Sequence, residues 1–265
     1  PESKHAPMLK LKEFLVTTPM GGPIKKLAGA TKRRIKTIRQ PELDGFFRDD
    51  DYLDRIFPVL ITDDSQCVDI GCHIGSVLKT FFDLAPKGAH LAVEPVPAKA
   101  TSLQKHFPKA VVHQCALADQ PGTAEFFEDT KNPGYSSLIA GHGTAGSIKA
   151  YSVPVRTLDE ICQPLTRLDL IKIDVEGKEL DVLRGGITTL AKHRPVLVFE
   201  CGPVDPSQDH QPGDALFTHI TETLSYDVFG AIDLVFGRPP LTLAEFRRYR
   251  TYPFTALNFV AKPRA

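Results

Sequence analysis

Asp69, Gly71 and Gly75 form the pattern DxGxxxG within Val68-Asp69-Ile70-Gly71-Cys72-His73-Ile74-Gly75-Ser76, and Glu94 lies 19 residues beyond Gly75. Glycines in such a turn let the chain bend sharply and let a ligand approach the backbone with no Cβ in the way. An acid at the tip of the following strand is placed to accept hydrogen bonds from ribose hydroxyls. Together these features describe a site for an adenosine-containing cofactor. A nicotinamide dinucleotide site uses GxGxxG, with its pyrophosphate on a helix N-terminus. Here one of those glycines is missing, and the carboxylate ahead of the turn would repel a diphosphate. S-adenosylmethionine carries a sulfonium and an ammonium group and no phosphate. Asp69 and Glu94 suit that ligand, one near its methionine end and the other at its ribose.

A second set of acids marks candidate chemistry on an acceptor. Asp174 ends an apolar run at 170–175 and Glu200 ends another at 196–199. Both would sit at the carboxyl ends of strands, where a general base for a hydroxyl is needed. Lys172 alternates with Asp174 and so shares its face. Helix capping is the other role open to Asp174. Glu176, in the turn that follows, is expected to cap or to complement the dipole of the next helix. His73 and His142 are further candidate bases, since histidine titrates near neutrality, and Ser136 and Ser137 are candidate hydrogen-bond partners. Asp174 and Glu200 could also supply oxygen ligands to a divalent ion. No Asp-Asn pair follows a strand, however, and no metal is assigned.

These residues need a scaffold that brings strand ends together. From Gln66 onward, short β-rich apolar runs alternate with segments of helical period. Strands are expected at 67–70, 91–93, 111–117, 170–175, 196–199, 227–236 and 256–261. Helical stripes include Val77, Leu78, Phe81, Phe82 and Ala85, then Ala100, Leu103 and Phe107. Leu180, Leu183, Ile187 and Leu190 form another, with Gly185 and Gly186 expected to break it. Such alternation implies an α/β fold: a Rossmann-like, doubly wound, mostly parallel sheet with an antiparallel edge strand, because no helix is evident between the last two strands. Strand-like stretches at 123–128 and 151–157 flank a glycine-rich excursion at 129–150, a strand–loop–strand insertion near 123–157. Residues 1–55 read as an appendage and 56–265 as the main domain.

The 32 basic and 32 acidic residues balance to a formal net charge of zero, so the chain as a whole is not built to coat nucleic acid or an anionic membrane. Charge is nevertheless segregated: residues 1–40 hold ten basic and two acidic side chains, and residues 41–64 hold eight acidic side chains and two arginines. No apolar run approaches the roughly 18 residues of a membrane span, and no signal-peptide core is evident. Five scattered cysteines without CxxC spacing suit reduced thiols in a cytoplasmic protein. Monomer and homo-oligomer are both compatible with the sequence.

The blocks VDIGCHIG, AVEPVPA, CALAD, YSSL, VRTLDE, LIKIDVEGKELDVLRGG and RPVLVFE resemble, in order, those of the FkbM-type methyltransferases. These are Rossmann-like, class I enzymes that use S-adenosylmethionine to O-methylate small molecules such as macrolides and sugars. The resemblance runs from about Gln66 to Cys201 and more loosely beyond. It implies that Asp69, Gly71 and Gly75 cradle the methionine part, with His73 in the same turn at a position where the family often has Asn. It implies further that Glu94 holds the ribose, that Val96 lies beside the adenine, and that Cys115, Ala116 and Leu117 line its other side. The acceptor it implies is a small-molecule hydroxyl. Two other functions stay open on the residues alone: a nicotinamide-dependent oxidoreductase, and a non-catalytic nucleoside-binding protein of the same fold whose basic arm docks a partner.

Overall fold

The computed structural model describes residues 37–129, 148–205, 207 and 212–264. Its main sheet contains β1 (Cys67–Ile70), β2 (His90–Val93), β3 (Val111–His113), β7 (Leu170–Ile173), β8 (Val196–Glu200), β9 (Tyr226–Gly230) and β10 (Asn258–Pro263), in the spatial order β3-β2-β1-β7-β8-β10-β9. Strands β3, β2, β1, β7 and β8 pair in parallel, while β10 runs antiparallel to both its neighbours. The sheet is therefore doubly wound and mostly parallel, with the reversed strand at the β9 side. The strand order changes direction between β1 and β7. That is the switch point at which open α/β sheets hold their ligands, outside the carboxyl ends of the strands.

Helices cover both faces, as the near-continuous apolar strands require. On one face, α1 (Asp49–Leu60) and α2 (Ser76–Leu84) place Ile56, Phe57 and Phe81 against Cys67, Leu170, Val198 and Val260. Phe81 is fully buried; its replacement by alanine would cost ~3–5 kcal/mol. Next to it, α3 (Pro97–His106) brings Leu103 onto Leu78 and Ala92. Further along the chain, α8 (Ala231–Val235) joins this same face through Ala231. On the opposite face lie α4 (Leu158–Cys162), α5 (Glu179–Arg184), α6 (Ile187–His193), α7 (Pro212–Thr218) and α9 (Leu243–Tyr249), which cover Val68, Ile70, Ile171, Ile173, Leu197 and Phe199. No helix among the described residues is long and apolar enough to cross a membrane, and all five thiols are buried and unpaired with one another.

Three elements differ from the sequence expectation. The strand expected at 111–117 is two strands in two sheets. After His113 the chain leaves the main sheet, and β4 (Ala116–Leu117) pairs with β6 (Ile148–Arg156), which in turn pairs with β5 (Gly122–Asp129) in a small second sheet. The strand expected at 227–236 ends at Gly230, where the Asp233 carboxylate accepts the Gly230 N–H (2.9 Å) and turns the chain into α8. Helix α9, started by a reciprocal Thr242–Glu245 capping box, completes a connection read as helix-free. The glycine break fell where expected, and Ile187 beyond it points to solvent at 42% exposure. Gly185 is confined by the carbonyl oxygen of Ala118 and Gly186 by the side chain of Leu158, so the bend is also a packing requirement.

Candidate active site

The turn after β1 is shaped by two close approaches. Gly71 has φ 76°, in the left-handed region, and a Cβ there would collide with the carbonyl oxygen of Asp174. The Asp174 N–H in turn donates to the Ile70 carbonyl (3.0 Å), so the ends of β1 and β7 are stitched together. The N–H groups of Gly71 and Cys72 donate to the Val93 carbonyl at 3.0 and 3.1 Å, which ties in β2. Gly75, at φ 83°, ends the turn, caps α2 and packs against Leu103 and Phe107.

Glu94 follows β2 and is buried. One of its oxygens accepts the His73 N–H (2.9 Å) and the other accepts the Val96 N–H (2.9 Å). Each oxygen keeps a further lone pair for a ligand hydroxyl. Burial pushes its carboxyl up to about 7, against the pull of Lys99 and the two N–H groups.

These groups face a cavity of about 230 Å³. Its lining takes in Gly71, His73 and Glu94, then Cys115, Ala116, Leu117 and Phe126, and Asp174, Val175 and Glu176, with Asp174 packed directly on Gly71. Lys99 and Lys178 also reach it, but both ammonium groups are held by carboxylates, Lys99 by Glu128 (3.1 Å) and Lys178 by Asp181 (3.0 Å). The walls therefore favour an uncharged or cationic ligand with an apolar part over a diphosphate.

Beyond β7 and β8 the charges converge on Lys172. Its ammonium lies 2.8 Å from Asp174 Oδ2. Burial alone would lower the Lys172 pKa, yet Asp174, Asp69 and Glu200 raise it. Glu200 is pushed up to about 8 by burial and by repulsion from Asp174 and Glu176, with Lys172 opposing. Glu179 is buried, and its Oε1 accepts the N–H groups of Val175 (3.2 Å) and Gly177 (3.1 Å).

Of the residues singled out from the sequence, Gly71, His73, Glu94, Cys115, Ala116, Leu117 and Asp174 line this one cavity, whereas Asp69, Gly75, Val96 and Glu200 do not. Asp69 is fully buried beneath the turn, where the Cys72 thiol and the Leu78 N–H approach its carboxylate. Burial raises its pKa and neighbouring Lys172 opposes that. Val96 is buried behind Glu94, and Glu200 lies one strand away, on β8. His142, Ser136, Ser137 and the basic stretch before residue 37 fall outside the described residues. Sequence reasoning missed Phe126 and Lys99 on the cavity wall. The alternation around Phe126 was visible, but not the sheet it would join. Lys99 follows Glu94 closely enough to have been read as its charge partner.

Comparison with known proteins converges on one group. Residues 69–229 match the model of the methyltransferase FkbM domain. The 2-O-methyltransferase NoeI of Sinorhizobium fredii (strain NBRC 101917 / NGR234) is 30% identical over 159 residues, covering 53% of this chain and 65% of that protein. Methyltransferase 1 of Beauveria bassiana (strain ARSEF 2860) is 29% identical over 164 residues, 53% of this chain and 66% of that one. The chain thus spans just under two thirds of the length of these relatives. The crystal structure of a methyltransferase FkbM from Methylobacillus flagellatus KT aligns with a TM-score of 0.43 at 20% identity, over 63% of this chain and 40% of the other.

Proposed function

Since the chain belongs to the FkbM methyltransferase family, we propose that it uses S-adenosylmethionine to methylate a hydroxyl oxygen of a small molecule. The observation that carries this reading is Glu94, a buried carboxyl anchored by two backbone N–H groups on the wall of a cavity whose lysines are already paired. The residues present fit the cofactor. Glu94 would accept the ribose hydroxyls; Cys115, Ala116, Leu117 and Phe126 would enclose the adenine, with Val96 supporting Glu94 from behind. Gly71, His73 and the Gly75 turn would receive the methionine part. Asp69 would act from beneath the turn through its charge. Membership in a methyltransferase family favours this reading over a nicotinamide-dependent oxidoreductase. The name of the 30% identical relative, a 2-O-methyltransferase, supports oxygen as the atom methylated.

When bound, S-adenosylmethionine supplies a methyl carbon already activated on sulfur. The chain's main task is then placement of the acceptor in line with that carbon, worth up to roughly 7–11 kcal/mol of the barrier. Asp174, held by Lys172, lines the same cavity and would face the acceptor there. Glu200, whose proton affinity burial raises, would act behind it from the end of β8.

Isothermal titration with S-adenosylhomocysteine tests the cofactor assignment. Wild type is expected to bind. Glu94→Ala is expected to lose about 10–100-fold in affinity, the range of a hydrogen bond to a charged group. Absence of binding by wild type, or unchanged affinity in Glu94→Ala, would refute it.

A further inference from the structure

Lys99 stands where a lysine is costly twice over. It is the third residue of α3, in the first turn, where the helix dipole favours anions and opposes a cation. Its side chain is also buried, at 6% exposure, and desolvation opposes an ammonium there. A buried ion pair adds little stability over an apolar pair of similar volume, so a methionine would fill the same space at less cost. The charge itself therefore calls for a use.

Two carboxylates feel this ammonium. The first is Glu128 on β5, whose Oε1 receives it at 3.1 Å while the other oxygen accepts the Tyr151 hydroxyl at 2.9 Å. Phe126, two residues earlier on β5, shares the Glu128 face, and Tyr151 on β6 is its partner in the strand register. The ion pair thus fixes the strand that brings Phe126 to the cavity. The second carboxylate is Glu94, which lines that cavity together with Lys99 and whose proton affinity Lys99 lowers. Each Glu94 oxygen already accepts one backbone N–H, from His73 or from Val96.

We propose that Lys99 is a positioning residue for the methyl donor: its ammonium supplies the positive field in which Glu94 receives the ribose hydroxyls, and Glu128, fixed by Tyr151, ties that field to the small sheet. This rests on the reading of the cavity as an S-adenosylmethionine site. Lys99 acts through Glu94. An ionised Glu94 offers a lone pair on each oxygen to a hydroxyl donor, whereas a protonated one turns one of these positions into a donor. Hydrogen bonds to the ionised form are also the stronger. Burial raises the Glu94 pKa to about 7, Lys99 lowers it and Glu128 raises it. The two halves of one ion pair therefore pull Glu94 in opposite directions. Further titratable groups around Glu94 are Cys72 in the turn, His113, whose carbonyl accepts the Glu94 N–H at 3.1 Å, and His73, Cys115, Asp174, Glu176 and Lys178 along the cavity. Exchanging Lys99 or Glu128 removes none of these.

The test is calorimetric titration with S-adenosylhomocysteine from about pH 5.5 to about pH 8.5, a span that brackets the Glu94 value. Wild-type affinity is expected to rise with pH through an inflection near neutrality. Glu94→Gln, which cannot ionise, is expected to lack that inflection. Lys99→Met should move it to higher pH and weaken binding about 3–10-fold near neutrality, whereas Lys99→Arg, which keeps the charge, should hold the wild-type profile. Glu128→Gln should move it to lower pH. Lys99→Met and Glu128→Gln break the same ion pair, so a pair that merely braced the small sheet would change binding in the same direction in both. Lys99→Met combined with Glu128→Met removes the pair together and strands no charge. Because Lys99 outweighs Glu128 at Glu94, the inflection of this double variant should still lie above that of wild type. A wild-type affinity independent of pH, shifts of the same sign in Lys99→Met and Glu128→Gln, no shift in either, or a wild-type profile in the double variant would each overturn the assignment. A wild type that binds no S-adenosylhomocysteine at any pH would instead remove the cofactor reading beneath it.

Discussion

Gly71 and Asp174 meet backbone to backbone, with no room for a side chain at position 71 beneath the carbonyl oxygen of residue 174. The contact joins the turn after β1 to the end of β7, the two elements that flank the switch point. Gly71→Ala should therefore damage both halves of the site at once. The left-handed φ alone costs about 1–3 kcal/mol in a residue with a side chain, and the collision adds to it. A lower melting temperature together with weaker S-adenosylhomocysteine binding is expected; thermal denaturation and calorimetry would check both.

Lys172 lies among Asp69, Asp174 and Glu200, each of which raises its pKa. Lys172→Met keeps the length of the side chain and removes the charge. Leaving buried carboxylates without their partner typically costs about 3–5 kcal/mol. The variant is expected to unfold at markedly lower denaturant concentration at pH 8, and to recover part of the loss at pH 5.5, below the raised value of Glu200. Equal destabilisation at the two pH values would show that charge is not the cause.

Asp49 Oδ2 accepts three donors from the start of β10: the N–H groups of Leu257 and Asn258 at 2.9 and 2.8 Å, and the Asn258 amide at 2.9 Å. This fastens the N-terminus of α1 to the sheet. Asp49→Ala strands all three and is expected to cost about 2–4 kcal/mol, since each unsatisfied buried polar group costs ~1–3 kcal/mol and water can re-solvate some of them. Asp49→Asn keeps an acceptor oxygen and should cost less. Chemical denaturation of the two variants would rank them.

Among the carboxyls with raised affinities for protons are Asp49, at about 6, Glu94, at about 7, and Glu200, at about 8, with burial as the first cause in each. In the unfolded chain these groups release their protons near pH 4. Between those limits the folded state holds more protons than the unfolded state, so stability falls as pH rises. It should be greatest, as far as these groups are concerned, below the unfolded values, decline from about pH 4.5 to 8 at up to ~1.4 kcal/mol per pH unit for each titrating group, and level off above. A melting temperature that rises between pH 5.5 and 8 would contradict this. A cationic ligand should offset part of the decline and release protons on binding, measurable by calorimetry in buffers of different ionisation enthalpy.

The turn at 69–75 and its acid at position 94 were legible in the sequence because their signal is local: glycine spacing, a strand before, a helix after. The parallel order and the antiparallel strand near one end were legible from alternation and from the change of rhythm after β8. Pattern alone could not separate β9 from α8. Val228, Phe229, Ile232 and Val235 are apolar throughout, and the break depends on Asp233 reaching back to the Gly230 N–H. The Thr242–Glu245 capping box before α9 was present in the letters and was passed over. Glu176 and Glu179 illustrate a deeper limit. Two glutamates three residues apart, either able to cap, are told apart only by a left-handed backbone that no one-dimensional pattern encodes.

The chain crosses from the main sheet to the small one between His113 and Ala116, and the small sheet then supplies Phe126 to the cavity and Glu128 to the buried pair with Lys99. One wall of the chamber is thus hung on the rest by a short crossing and an ion pair. That panel can change in length or in side chains without disturbing the seven strands behind it, so the shape of this wall is separable from the sheet that carries the Gly71 turn and Glu94.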